Sequence, residues 1–220
     1  MEATKSRSRN LFIAQFSILL AVLVIVAFTP LGSIPAIGPI VATTVHIPII
    51  ITAILLGTKA GTLMGFIGGV LSLVIWTFMP PNPPMAFVFS PFLNVGELSG
   101  NFWSVVISIV PRTAIGFVAG AVFGFAKQFM EKREIKGKKE AAAYALAGVL
   151  GSLANTFGVL GGIYLFFAHS FAELAGVGVE IVILVLGGIV LSSGIPEAVL
   201  AAVCAYFICM PVKKYVLKDA

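Results

Sequence analysis

The chain has 220 residues, of which 59% are hydrophobic and only 10% charged, and its mean hydropathy is +1.09. Soluble domains are about 45–50% apolar and about 25% charged, and a chain of this size cannot hide such an excess inside a core. That excludes a soluble enzyme, a disordered protein and a nucleic-acid binder. The pI near 9.4 comes from basic residues that sit beside apolar runs, the pattern of charge flanking a membrane.

A bilayer core takes about 20 residues of helix, and the apolar runs and their breakers set the expected spans. The first is 11–28, ending at Thr29-Pro30 before a loop with Pro35, Gly38 and Pro39. The second, 45–56, is short and closes at Gly57-Thr58-Lys59. The third is 60–78. It stops at Met79-Pro80-Pro81-Asn82-Pro83-Pro84, which cannot be helix interior, and 86–99 is predicted to be irregular. The fourth is 102–126, followed by six basic residues between 127 and 139. The fifth is 141–168, with 169–178 as a loop. The stretch 179–193 is too short for a span and is predicted to be a short helix on the outer side. The sixth span is 194–212, followed by Lys213 and Lys214. The expectation is a single all-α integral membrane domain over 1–220, with six transmembrane helices and one short outer helix.

With six spans, thirteen of the fourteen Lys and Arg residues fall on one side, at the N-terminus, the 57–59 turn, the 127–139 loop and the C-terminus. The positive-inside rule makes that side cytoplasmic. Both termini are therefore expected in the cytoplasm of a cell-membrane protein. Lys5, Arg7 and Arg9 before an apolar run resemble a signal peptide, but the run is longer than a signal core, and it is expected to remain as the first span.

Small residues recur at spacings of four: Gly61, Gly65 and Gly69 on the third span, and Gly116, Gly120 and Gly124 on the fourth. Ser17 and Ala21 form a weaker pair on the first. Such stripes let helices approach closely in lipid. They serve packing within the bundle, or they make a docking surface for another membrane protein from Ser17, Ala21, Gly61, Gly65 and Gly69.

Polar residues inside the membrane are costly and point to function. Arg112 lies about 15 Å into the fourth span at 1.5 Å per residue. Its planar fork suits a carboxylate. Two readings stand: a brace to Glu197, or a water-filled pocket in which Arg112 holds an anion. Asn155 and Thr156 sit mid-membrane in the fifth span. Thr43, Thr44 and His46 mark the outer end of the second. Trp76, Trp103 and Tyr164 suit either an interfacial belt or a pocket wall. These groups gather towards the outer side, beneath two long Pro/Gly/Asn loops. That describes a small-molecule receptor better than a channel, which needs a polar lining throughout.

Catalysis finds no support. Asp219 is the sole aspartate, and Cys204 and Cys209 are five apart, which does not place them on one helix face. No acid–base pair, metal set or ATP-binding glycine loop is present. The chain is expected to be no enzyme and to carry no cofactor or metal of its own, so any energy for transport must come from partners.

In order and spacing, several motifs resemble those of substrate-binding S components of energy-coupling factor (ECF) vitamin transporters. They are Ala42-Thr43-Thr44-Val45-His46-Ile47-Pro48, Leu56-Gly57-Thr58-Lys59-Ala60-Gly61, Phe89-Ser90-Pro91-Phe92, Val110-Pro111-Arg112, Asn155-Thr156 and Gly194-Ile195-Pro196-Glu197-Ala198. The similarity runs over nearly the whole chain and is greatest to the pantothenate-specific members. It implies capture of a vitamin outside and delivery inside by docking on a transmembrane coupling protein (the T component) and two ATPases, which carry ATP and Mg. The family's Ala-x-x-x-Ala docking motif is absent from the first helix, where Ile18 follows Ala14 at plus four. The resemblance also implies a pantothenate site. Arg112 would take the carboxylate. Asn155, Thr156 and Asn94 would serve the amide and hydroxyls, and Trp76 or Phe92 would cover the gem-dimethyl group. Glu197, Thr44 and His46 complete the candidate set. Folate, riboflavin and cobalamin are alternative substrates, and a solitary carrier or facilitator is the alternative in another class.

Overall fold

The computed structural model describes the backbone at 2–34, 42–132 and 138–213, with side chains at 9–32, 43–132 and 141–213. The loop residues Pro35, Gly38 and Pro39, the basic residues Arg133 and Lys136, and Lys214, Lys218 and Asp219 lie outside the described backbone. The elements in chain order are α1 (Glu2–Phe28), β1 (Ser33–Ile34), β2 (Ala42–Thr43), α2 (His46–Leu56), α3 (Thr58–Phe78), α4 (Ala86–Phe89), β3 (Asn94–Val95), β4 (Leu98–Ser99), α5 (Phe102–Lys132), α6 (Lys138–Ala175), α7 (Val182–Ile189) and α8 (Ile195–Cys204). Among the described residues the fold is all-α apart from two antiparallel strand pairs, β1–β2 and the β3–β4 hairpin, each with two residues per strand.

Among the described residues, five helical segments are long and apolar enough to cross a membrane: Arg9–Phe28, Thr58–Phe78, Phe102–Lys132, Ala141–Ala175 and Val179–Cys209. The expected second span, α2, has only 11 residues, about 16 Å at 1.5 Å per residue. The expected break near 193 is absent. α7 and α8 join through a π-helical stretch, Val190–Gly194, and continue through a second one, Ala205–Cys209. The short outer helix and the last span are therefore one helical run. Pro196 accounts for the misreading: it cannot donate to the carbonyl four residues back, and the wider π turn accommodates that loss without ending the helix.

The other departures are local. α6 runs on to Ala175 through a kink at Phe167 (φ −132°, ψ 19°), so most of the expected 169–178 loop is helix. The 86–99 stretch holds α4 and the β3–β4 hairpin rather than being wholly irregular.

Close helix packing follows from the small residues. An added Cβ at Gly65 would stand 2.3 Å from the Arg112 carbonyl oxygen, and one at Gly116 would stand 1.9 Å from that of Gly61. Gly69 similarly abuts Ile109, and Gly120 abuts Thr58. These pairs run in opposite order along α3 and α5, so the two helices are antiparallel. Gly61 also packs on Ala53 of α2, and Gly57, at φ 94°, makes the one-residue turn between α2 and α3, a conformation that favours glycine. Gly61, Gly65 and Gly69 are buried and are therefore not available as a docking surface. Ser17 and Ala21 do lie exposed on α1, which packs inward through Leu23 and Ala27.

Buried side chains form two apolar clusters. One gathers Leu23, Ile49, Ile50, Met64, Ile115, Ala147 and Ala201. The other gathers Phe87, Phe89, Ile107, Val159, Phe171 and Ile189 nearer the long loops. Outward faces are apolar too, with Phe117 and Phe157 each 58% exposed, as lipid requires.

Candidate substrate-binding site

Between the two clusters lies a polar layer. Arg112 falls between Ile107 and Ile115 on α5, and Asn155-Thr156 between Ala147 and Val159 on α6. Ser193 and Glu197 fall between Ile189 and Ala201. On α3, the stripe Gly61, Gly65, Gly69 continues at helical spacing into Ser72 and Trp76. Where side chains are small the helices touch. Where this stripe turns to Ser72 and Trp76, a cavity opens.

The cavity has two small lobes, of about 30 and 50 Å³, that share Thr43, Trp76, Arg112 and Asn155. One lobe adds Gly32, His46, Ser72 and Ile115. The other adds Phe89, Thr156, Leu160, Ser193 and Glu197.

Arg112 is 7% exposed. Its Nη1 donates to the Ile107 carbonyl at 2.8 Å, and its Cζ lies 5.4 Å from the Phe89 ring centroid. Phe89 in turn stacks on Trp76 with centroids 4.4 Å apart. Ser104 and Ser108 donate to the carbonyls of Phe87 and Phe89, each at 2.7 Å, and pin α4 against α5. Arg112 and Glu197 do not form an ion pair; the described residues contain one, between Lys127 and Glu131. Glu197 instead accepts the Thr43 backbone N–H on Oε1 at 2.9 Å, tying α8 to β2. Both ring nitrogens of His46 and the Asn155 Oδ1 are buried without a hydrogen-bond partner among the described residues. Buried polar atoms are normally satisfied, so these atoms and the rest of the Arg112 fork suit a polar, anionic guest.

The family model for ECF transporter, substrate-specific component, matches residues 11–209. The chain belongs to that family. A curated relative is the pantothenic acid transporter PanT of Lactococcus lactis subsp. cremoris (strain MG1363). It is 29% identical over 166 residues, covering 75% of this chain and 74% of that protein. The chain is thus a transport subunit and a multi-pass membrane protein.

The cavity of this S component brings together six of the nine residues expected at its site: Arg112, Asn155, Thr156, Glu197, Trp76 and His46. The other three stand apart. Phe92 is 76% exposed and lines an outward apolar groove with Leu73 and Phe78. Asn94 is exposed in the β3–β4 hairpin. The Thr44 hydroxyl donates to the Leu31 carbonyl within the first loop. Trp103 stacks on Phe166 at 3.8 Å, and both Trp103 and Tyr164 are 42% exposed; neither lines the cavity. Sequence reasoning missed Phe89, Ser72 and Ser193 and preferred Thr44 to its neighbour Thr43. The glycine stripe carried the signal for Ser72, since the same face runs on to it. For Phe89 against Phe92, and Thr43 against Thr44, adjacent residues of like type gave no signal.

Proposed function

We propose that this chain is the pantothenate-binding subunit of an ECF importer. The observation that carries the reading is Arg112: an arginine at membrane depth, without an ion-pair partner among the described residues, facing a cavity lined by Trp76, Asn155, Thr156 and Glu197. The likeness to a pantothenic acid transporter supports the same substrate. In this reading Arg112 takes the carboxylate as a charge-assisted hydrogen bond. Asn155, Thr156 and His46 serve the amide and hydroxyls, and Trp76 with Phe89 covers the gem-dimethyl group. Glu197 works through Thr43, holding the end of β2 beside the ligand.

We further read α2 as a sixth, half-length crossing, with the first turns of Val179–Cys209 overhanging outside. At about 46 Å, 31 residues at 1.5 Å each, that run exceeds a hydrocarbon core of about 30 Å. Both termini are then cytoplasmic, as the basic residues require. Capture occurs outside, and release inside follows docking on a T component and two ATPases that supply ATP hydrolysis.

The test is equilibrium binding of radiolabelled pantothenate to the purified chain in detergent, with other vitamins as competitors. Saturable binding displaced only by unlabelled pantothenate is expected. Displacement instead of a different labelled vitamin would overturn the substrate while keeping the family.

A further inference from the structure

α5 carries a proline in its interior, Pro111, immediately before Arg112. A proline there has no N–H to give the carbonyl four residues back, and its ring crowds that carbonyl. The carbonyl in question belongs to Ile107. It is the acceptor that Arg112 Nη1 reaches at 2.8 Å. Ile107 is 1% exposed, so its released oxygen cannot turn to solvent, and a buried carbonyl needs a donor. The long arginine side chain supplies it from five residues on. The surroundings fit the ring closely. Gly158 of α6 faces Pro111, and an added Cβ there would stand 2.9 Å from the Pro111 Cβ.

We propose that Pro111 is a positioning residue for substrate recognition: by leaving the Ile107 carbonyl free, it anchors one donor of Arg112 and aims the remaining guanidinium donors into the cavity. A flexible arginine has many rotamers to lose on binding. One fixed Nη1 removes most of them before the ligand arrives, which is preorganisation of the anion site. The inference rests on Arg112 being the carboxylate-binding group.

Pro111→Ala restores the missing N–H while keeping the Cβ against Gly158. The restored backbone bond competes for Ile107, and Arg112 is released. The experiment measures radiolabelled pantothenate affinity, competition by panthenol (which replaces the carboxylate with an alcohol) and melting temperature of the purified chain. The expected result is at least a tenfold loss of pantothenate affinity, less than a threefold change for panthenol, and an unchanged or higher melting temperature. Unchanged pantothenate affinity overturns the proposal. So does a loss shared equally by panthenol or accompanied by a lower melting temperature, which would mark a merely structural proline. Arg112→Ala, run in parallel, separates the two readings. If it binds pantothenate normally, the site assignment itself fails. If it loses binding while Pro111→Ala does not, only the role of Pro111 fails.

Discussion

Arg112 and Glu197 line the same cavity lobe without forming an ion pair; each is held by a backbone group instead, the Ile107 carbonyl and the Thr43 N–H. An internal brace would neutralise both charges and leave the lobe with little to offer an anion. With a single backbone anchor, Arg112 keeps most of its donors for a guest.

The first prediction concerns that fork. Arg112→Ala removes a charge-assisted hydrogen bond of about 1.5–3 kcal/mol, which is roughly a ten- to hundredfold weakening. Arg112→Lys keeps the charge but not the planar fork, so it recovers only part of the affinity. Titration calorimetry with pantothenate checks both. An alanine variant that binds as tightly as the parent would remove Arg112 from the site.

The second prediction separates charge from hydrogen bonding at Glu197. Its Oε1 accepts the Thr43 N–H at 2.9 Å. Glu197→Gln keeps an acceptor oxygen and is expected to stay within about threefold of the parent affinity, since the net worth of one neutral hydrogen bond is only about 1 kcal/mol. Glu197→Ala leaves the Thr43 N–H unpaired and is expected to release the ligand about tenfold faster. Dissociation rates of labelled pantothenate from the two variants test the ordering. Equal rates for Gln and Ala would show that the carboxylate charge, not the tie to β2, is what matters.

The third prediction contrasts an aromatic pair with a single exposed aromatic. Trp76 and Phe89 stack beside Arg112 inside the cavity, whereas Phe92 is 76% exposed on the outer groove. Trp76→Ala is expected to weaken binding strongly, by loss of apolar burial worth about 1.5–3 kcal/mol for a large side chain. Phe92→Ala and Asn94→Ala are expected to leave affinity within about twofold. Binding isotherms of the three variants decide between the two surfaces.

The fourth prediction addresses packing. A Cβ at Gly65 would stand 2.3 Å from the Arg112 carbonyl oxygen, whereas Gly124 has nothing within 4 Å. Gly65→Ala must push α3 from α5 and is expected to lower the melting temperature and disturb the cavity above it. Gly124→Ala meets no neighbour and gains helix propensity of up to about 1 kcal/mol, so it is expected to be neutral or stabilising. Thermal denaturation in detergent, followed by fluorescence size exclusion, reads both.

Much of this arrangement is legible in the chain itself because lipid imposes simple rules. The 3.6-residue stripe Gly61–Gly65–Gly69 and the isolated Arg112 both show in the sequence, and the structure puts them on adjoining stretches of α3 and α5. What the stripe touches was not legible: a row of small residues looks the same whether it faces α5 or a separate protein. The continuity of α7 and α8 was hidden for a different reason. Ser192-Ser193-Gly194 and Pro196 look like a helix end, and only the π-helical geometry keeps the chain helical through them. Choices between neighbours, Thr43 over Thr44 and Phe89 over Phe92, depend on a one-residue phase in loops, where no periodicity operates.

The last prediction tests coupling apart from capture. Ser17 and Ala21 are four residues apart on the exposed face of α1, and their small side chains leave room for a second helix at close range. Ser17→Phe with Ala21→Phe fills that space without reaching the cavity, whose wall, among the described residues, takes only Ala27 from α1. Pantothenate binding to the isolated chain is expected to be unchanged. Co-purification with the T component and ATPases, and ATP-dependent uptake in proteoliposomes, are expected to fall at least tenfold. Loss of binding in the isolated variant would mean that α1 shapes the site. Normal uptake would move the docking surface away from this face, and because Gly61, Gly65 and Gly69 are already buried, the search would turn to other exposed helix faces.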